Sequence, residues 1–188
     1  MDRTLYLCGG CFWGIEHLME GMAGVTSTVV GYANGDRPED AVYERVCAGG
    51  TGFRECVRCT FRGGGDVARS LLFSFFSVID PTTRNRQGND VGEQYQAGVF
   101  WEPGDGATER EVLAVAGAVA RRHPGFAVEL GPVESFYPAE GYHQRYLDRN
   151  PGGYCHVAPG LIRALQDGTV DPAEGYRLPY AAAPAGRW

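Results

Sequence analysis

Gly9-Gly10-Cys11-Phe12-Trp13-Gly14 marks the point where an apolar strand is followed by an amphipathic helix. The segment before it, Thr4 to Cys8, is predicted to be the strand. The segment after it repeats apolar side chains at the i, i+3, i+4, i+7 spacing of one helix face, at Ile15, Leu18, Met19 and Met22. The hexapeptide therefore sets a cysteine at the N-terminus of a helix with one buried face.

The position of Cys11 favours a reactive thiol. Free backbone N–H groups and the positive end of the helix dipole favour the thiolate, which is the nucleophilic form of cysteine. Phe12 and Trp13 supply rings for a small apolar pocket, while Gly9 and Gly10 permit a tight turn and a close approach to the sulfur. The alternative is an inert cysteine buried in the core, which is the usual fate of a free cysteine.

The composition predicts one domain and excludes several classes of partner. The chain has 188 residues, 44% of them hydrophobic, which is enough for a single substantial core. Its formal net charge is −6 and all 17 cationic residues are arginine, with no basic stripe, so no nucleic-acid partner is expected. No apolar run approaches about 18 residues and no signal-peptide pattern opens the chain, so we expect a cytoplasmic protein without a membrane partner.

Strands and helices alternate along the rest of the chain. Apolar runs bounded by turn residues predict four further strands, at Val25–Tyr32, Phe53–Phe61, Ala97–Trp101 and Phe126–Leu130. This order of elements predicts an α+β or α/β architecture.

Helices are predicted between these strands. One begins near Asp66, a candidate N-cap, and carries the apolar stripe Leu71, Leu72, Phe75, Phe76 and Ile79. Thr108–Glu111 has the pattern of a capping box that opens another helix. Pro138 is predicted to start a short helix, and the pattern permits a last one over Leu161–Gln166.

Two segments lack a regular pattern. Asp80 to Gln94 is long and polar, and a long loop inside a compact domain is usually functional. From Pro151 onward Pro, Gly and Ala dominate, so Cys155 is expected to lie on a mobile segment.

The six cysteines do not suggest a disulfide scaffold, so each is a thiol, a ligand or a redox catalyst. Cys8-x-x-Cys11 and Cys56-x-x-Cys59 could form a structural zinc site. However, residues three apart on a strand point to opposite faces, which argues against chelation by the second pair. We therefore predict no metal, and buried packing for Cys47, Cys56 and Cys59.

A papain-like protease is a further alternative. Cys8-Gly9-Gly10-Cys11-Phe12 approximates the sequence around the nucleophile of such enzymes, and His143 follows at a suitable separation of about 130 residues. The match fails at two positions, and the secreted context of these proteases is missing.

Several motifs together closely resemble the peptide methionine sulfoxide reductases of the A type. Besides the hexapeptide, the motifs that carry the resemblance are Tyr43–Cys47, Thr51–Glu55, Asp80–Thr82, Asn85–Gly92, Gln94–Tyr95, Tyr142–Gln144 and Asn150–His156. They occur in order from about Leu5 to His156, which is most of the chain.

The resemblance implies an α+β two-layer sandwich with a mixed sheet and helices. It also implies reduction of the S epimer of methionine sulfoxide, free or in proteins, without a cofactor. By residue, it implies Cys11 as the nucleophile, Phe12 and Trp13 around the substrate methyl group, and Glu55 with Tyr43 and Tyr95 around the sulfoxide oxygen.

Further residues follow from the same resemblance. Asp90 lies in the loop that shapes the site, and His143 and Tyr154 match positions near it. Cys155 resembles the resolving cysteine, which would form a disulfide with Cys11 that thioredoxin or a similar dithiol reopens. Attack on a sulfoxide needs its oxygen protonated, so Glu55 is expected to have a pKa raised by burial toward about 6 or 7.

The remaining expectations concern organisation and departures from the family. We expect a monomer with a catalytic domain over 1–158 and a C-terminal extension over 159–188. Phe53 stands where the family commonly has histidine, and Cys8 could compete as a resolving thiol. A module that binds methionine sulfoxide without turnover is the alternative function.

Overall fold

A six-stranded mixed sheet forms one layer of the protein. The computed structural model describes residues 2–176 and 178. Its strands are β1 (Asp2–Cys8), β2 (Val25–Ala33), β3 (Arg54–Arg62), β4 (Arg86–Gln87), β5 (Asp90–Val91), β6 (Gly98–Trp101), β7 (Glu129–Pro132) and β8 (Phe136–Pro138). The large sheet has the order β7-β6-β1-β3-β2-β8, and β4 pairs with β5 in a separate hairpin.

The first strand lies at the centre of this sheet because it pairs on both sides. β1 runs antiparallel to β3, with Leu7 opposite Val57, and antiparallel to β6, with Cys8 opposite Gly98. Among the strands of the described residues, only β6 and β7 pair in parallel, which makes the sheet mixed. The nucleophile turn therefore begins at the end of a central strand that is hydrogen-bonded along both edges.

Helices form the second layer. They are α1 (Phe12–Glu20), α2 (Tyr43–Ala48), α3 (Gly65–Ser77), α4 (Gly106–Ala120), α5 (Tyr146–Arg149) and α6 (Pro159–Gln166). Alternation along β1 turns Leu5 and Leu7 into the main core with α1, α3 and α4, whereas Tyr6 and Cys8 join a smaller cluster on the opposite face. The predicted two-layer α+β sandwich is confirmed.

Two predicted helix starts differ from the structure. Gly64, not Asp66, is the N-cap of α3, and Asp66 lies in its first turn. The N-cap of α4 is Asp105, whose carboxylate accepts a hydrogen bond from the backbone N–H of Thr108. The predicted capping box is therefore wrong. Thr108 lies inside α4, and Asp105, three residues earlier, caps the helix.

The helix predicted to start at Pro138 is also absent. Pro138 is the last residue of β8, an edge strand whose neighbour in the sheet is β2. An edge strand tolerates proline because one side of it needs no hydrogen-bond donor. The short helix lies further on, as α5.

The polar segment Asp80 to Gln94 is held by its own side chains. Gln87 accepts a hydrogen bond from the Asp80 backbone N–H at 2.9 Å and donates one to the Asp80 carbonyl at 2.8 Å. Gln96 accepts from the backbone N–H of Asn85 at 2.8 Å. These bonds close the segment around the β4–β5 hairpin and hold it beside the start of α1.

The C-terminal part contains the permitted helix, now α6. Ile162 and Leu165 are buried in the main core, and Gln166 donates to the carbonyls of His17 and Leu18 at the end of α1. The rest of the predicted extension falls partly at 177 and 179–188, outside the described residues. Within residues 2–176 and 178, none of the helices has the length and apolar character needed to cross a membrane.

Candidate active site

The turn between β1 and α1 presents Cys11 as the N-cap of the helix. Gly10 has φ +82°, in the left-handed region that favours glycine, and a β-carbon there would lie 2.7 Å from Cβ of Gln87. A β-carbon on Gly9 would lie 2.8 Å from the Phe75 ring. The two glycines predict that some group approaches this turn closely, and the groups that do so are the protein's own side chains, Gln87 and Phe75.

A carboxyl group stands directly beside this turn. Glu55 lies on β3, is 2% exposed, and accepts a hydrogen bond from the backbone N–H of Phe12 at 3.1 Å through Oε2. Burial raises the pKa of Glu55 to about 8, partly opposed by the Phe12 N–H, and the nearby Asp90 raises it further. Glu55 therefore carries a proton at neutral pH and can act as an acid.

The expectation that the helix N-terminus favours the Cys11 thiolate is wrong, because the pKa of this thiol is raised. Burial raises the pKa of the Cys11 thiol well above its usual range, and the charge of Glu55 raises it further. The backbone N–H of Trp13 lowers the pKa, as a helix N-terminus should, but this effect is smaller than the cost of desolvating a thiolate.

The thiol and the acid open into one cleft. Its volume is about 130 Å³, and it is lined by Cys11, Phe12, Trp13, Tyr43, Glu55, Asp90, Tyr95 and Tyr154. Burial raises the pKa of both Tyr43 and Tyr95, so both hydroxyls remain protonated donors. Eight of the ten site residues predicted from the sequence are brought together in this cleft.

The rim of the cleft is joined to the C-terminal segment by one hydrogen bond. The Tyr154 hydroxyl donates to Oδ1 of Asp90 at 2.9 Å. Burial, with the bond to Asp90, raises the pKa of Tyr154 to about 12. This bond links the β4–β5 hairpin to the residue that precedes Cys155.

His143 lies behind the cleft rather than in its lining. It is 2% exposed, its ring centroid is 5.2 Å from that of Phe12 and 4.6 Å from that of Tyr43, and burial lowers its pKa. A neutral ring in this position supports the aromatic wall from behind.

Sequence reasoning missed Tyr146. Its ring stacks on the Trp13 indole with centroids 3.8 Å apart and planes 14° apart. Its position three residues after His143 was the available signal, since it follows shortly after the motif Tyr142–Gln144. Tyr146 fixes the orientation of a ring that lines the cleft.

Cys155 is half-buried against the first turn of α1. A β-carbon on Gly14 would lie 3.2 Å from its Sγ, so glycine at this position leaves room for the sulfur. Burial raises the pKa of Cys155, and the backbone N–H of Val157 lowers it. Its thiol also contributes to the raised pKa of Cys11, which reflects how near the two sulfurs are.

Of the other cysteines, Cys47 lies beside the cleft with its thiol next to the Tyr43 hydroxyl, whereas Cys8, Cys56 and Cys59 lie within strands of the sheet. Cys56 and Cys59 are fully buried in clusters on opposite sheet faces, and Cys8 shares the face of Cys56, not that of Cys11. This arrangement rules out the paired zinc site. The buried packing predicted for Cys47 is wrong, because Cys47 is exposed on α2.

Comparisons with known proteins agree on one family. The family described as peptide methionine sulfoxide reductase matches residues 3–169. The peptide methionine sulfoxide reductase MsrA of Clostridium perfringens is 42% identical over 157 residues, which cover 82% of this chain and 98% of that protein. Because the chain matches this family, we reject the papain-like protease as an alternative.

Solved structures give the same result. Mxr1 from Saccharomyces cerevisiae in reduced form aligns with a TM-score of 0.74 and 36% identity, over 84% of this chain and 91% of that one. Mxr1 in complex with Trx2 aligns with a TM-score of 0.50 and 25% identity, over 77% of this chain and 84% of that one.

Proposed function

Because this chain belongs to the peptide methionine sulfoxide reductase family and is an oxidoreductase of the MsrA type, we propose that it reduces the S epimer of methionine sulfoxide, free or in proteins. The product is methionine, and the role is repair of oxidised proteins under oxidative stress. The observation that supports this most directly is the pairing of the Cys11 thiol with the protonated, buried Glu55 across one small cleft.

Substrate binding uses the two kinds of surface in the cleft. The methyl group packs against Phe12 and Trp13, whose rings are held by His143 and Tyr146. The sulfoxide oxygen points toward Glu55 and the hydroxyls of Tyr43 and Tyr95. A fixed methyl and a fixed oxygen leave one configuration at sulfur open to attack, which is the basis for the S epimer.

The first chemical step transfers oxygen from substrate to enzyme. The Cys11 sulfur attacks the sulfoxide sulfur while Glu55 donates its proton to the oxygen, and the tyrosine hydroxyls stabilise the charge that develops there. The thiol proton of Cys11 returns to Glu55, so the carboxyl ends in the state in which it began. The S–O bond of the sulfoxide then breaks as its hydroxyl group moves to the Cys11 sulfur and the bond between the two sulfurs is released, so the products are methionine and a sulfenic acid on Cys11.

The second step resolves the sulfenic acid. Cys155 forms a disulfide with Cys11 and releases water, and thioredoxin or a similar dithiol then reduces the disulfide. The packing of Cys155 on Gly14 and the complex that the related Mxr1 forms with Trx2 both support this sequence.

The remaining proposals concern context. We assign catalysis to a domain over 1–158, with 159–188 as an extension whose helix α6 packs into the core of that domain, and expect a cytoplasmic monomer. The composition and the motifs of the sequence support each of these assignments.

The test is a reduction assay on separated S and R epimers of a methionine sulfoxide peptide, with dithiothreitol and then thioredoxin. We expect turnover of the S epimer alone with both reductants. Binding of the S epimer without any turnover would instead favour the binding-only function.

A further inference from the structure

His156 is a titratable residue without a role in the steps above. It follows Cys155 directly, and its ring lies over the nucleophile turn. A β-carbon on Gly10 would lie 3.4 Å from its Nε2, and one on Gly14 would lie 3.2 Å from its Nδ1. The ring therefore covers both ends of the turn that holds Cys11.

Both ring nitrogens of His156 are buried and make no hydrogen bond of normal geometry with the described residues. A buried polar group without a partner is costly, so an unpaired imidazole calls for an explanation. Nδ1 of His156 and Sγ of Cys155 border the same space above Gly14, because a β-carbon on that residue would lie 3.2 Å from each of them. Nε2 is on the Gly10 side, where the Gly9 backbone carbonyl acts on the ring.

We propose that His156 is the acid–base catalyst of disulfide formation between Cys11 and Cys155. This inference rests on the proposed function, since it requires Cys155 to resolve the sulfenic acid. Because Nε2 is the nitrogen on the Gly9 and Gly10 side of the ring, a proton on Nε2 would face the Gly9 carbonyl and leave the Nδ1 lone pair to take the Cys155 proton.

The step balances in protons and electrons. Nδ1 accepts the thiol proton as the Cys155 sulfur attacks the Cys11 sulfur, and the S–O bond of the sulfenic acid breaks. The Cys155 sulfur is oxidised and the Cys11 sulfur is reduced. The imidazolium then gives its proton to the departing hydroxide, so the products are a disulfide, water and neutral His156.

The surroundings suit a neutral base. Burial lowers the pKa of His156, and among the described residues Asp90 is the charged group that opposes this effect. At pH 7 the ring is therefore mostly unprotonated. The thiol it serves needs a base, because burial raises the pKa of Cys155 and leaves little thiolate.

The experiment follows one turnover of the full chain without reductant, using the S epimer of a methionine sulfoxide peptide. Rapid quenching with a sulfenic-acid trap and mass spectrometry measures the sulfenic acid on Cys11 and the Cys11–Cys155 disulfide separately. The variants are His156→Gln and His156→Asn, which keep a polar side chain and cannot transfer a proton. His123→Gln, which removes a histidine beyond the end of α4, is the matched control.

At pH 7 we expect both variants to form sulfenic acid at the parent rate and to form the disulfide on the order of 10²-fold more slowly. The deficit should shrink as pH rises and Cys155 ionises without help. Disulfide formation at the parent rate, or a deficit that is constant with pH, would overturn the catalytic role. Absence of the disulfide in the parent itself would instead overturn the proposed resolving cysteine.

Discussion

Replacing Glu55 by glutamine should slow the chemical step and change the free energy of unfolding by an amount that depends on pH. An unfolded glutamate loses its proton near pH 4.5, whereas Glu55 in the folded protein keeps its proton to about pH 8. Between these values the folded state binds one more proton than the unfolded state. The stability of the parent therefore falls as pH rises, by about 1.4 kcal/mol per unit.

The magnitude follows from the burial of this carboxyl. Over the whole window the loss in the free energy of unfolding is on the order of 5 kcal/mol, and solvent screens it little because Glu55 is only 2% exposed. Glutamine keeps an acceptor for the Phe12 N–H but adds an amide donor, which costs about 1–3 kcal/mol if it finds no partner. The variant should thus be less stable than the parent at pH 5 and more stable, by about 2–4 kcal/mol, at pH 9.

Urea unfolding of both proteins from pH 5 to pH 9 measures this difference. Glu93→Gln is the control, because Glu93 accepts hydrogen bonds from the backbone N–H groups of Thr51 and Gly52 and its pKa is lowered. The stability it contributes is lost only as pH falls below about 4.5, so its difference from the parent should be flat in this range. A difference that does not change with pH for Glu55→Gln would refute the raised pKa.

The same variant tests the acid role. Stopped-flow measurement of sulfenic acid formation by Glu55→Gln should show a loss in rate of about 10²–10⁴-fold, and a rate close to that of the parent would refute the acid role.

Three further substitutions test the rest of the site. Cys155→Ser should keep about one turnover per enzyme and lose cycling with thioredoxin, and undiminished cycling would exclude the resolving role. Tyr146→Ala removes the ring stacked on Trp13, so KM for the sulfoxide should rise about 3- to 10-fold, measured by steady-state kinetics. Gly14→Ala should slow formation of the Cys11–Cys155 disulfide, measured by rapid quenching and mass spectrometry, because its β-carbon would lie 3.2 Å from Sγ of Cys155; a rate equal to that of the parent would show that this packing does not position the thiol.

The sequence predicted the elements whose signals are local. The apolar stripe after the hexapeptide identified α1, and the run from Val25 identified β2 to within one residue. β8 was missed because Pro138 is typical of a helix start, and only pairing with β2 makes its segment a strand. The start of α4 was predicted three residues too late, because Asp105 caps the helix by accepting a hydrogen bond from the backbone N–H of Thr108.

The site was predictable in its membership but not in its energetics. The family resemblance identified the residues of the cleft, whereas the pKa of Cys11 depends on how deeply the turn is buried. A helix N-terminus lowers that pKa in isolation, and burial beside Glu55 reverses the sign. Burial of that kind arises from segments distant in the chain, such as the β4–β5 hairpin, and no local pattern reports it.

The segment that carries Cys155 is fastened on both sides. Before it, Arg149 donates to the carbonyls of Gly141 and Tyr142, and after it, Gln166 donates to the carbonyls of α1. A thiol on so short a tether meets its target at an effective concentration of about millimolar, whatever the concentration of the enzyme. Dilution therefore does not slow the closing of the disulfide, because both thiols belong to the same chain.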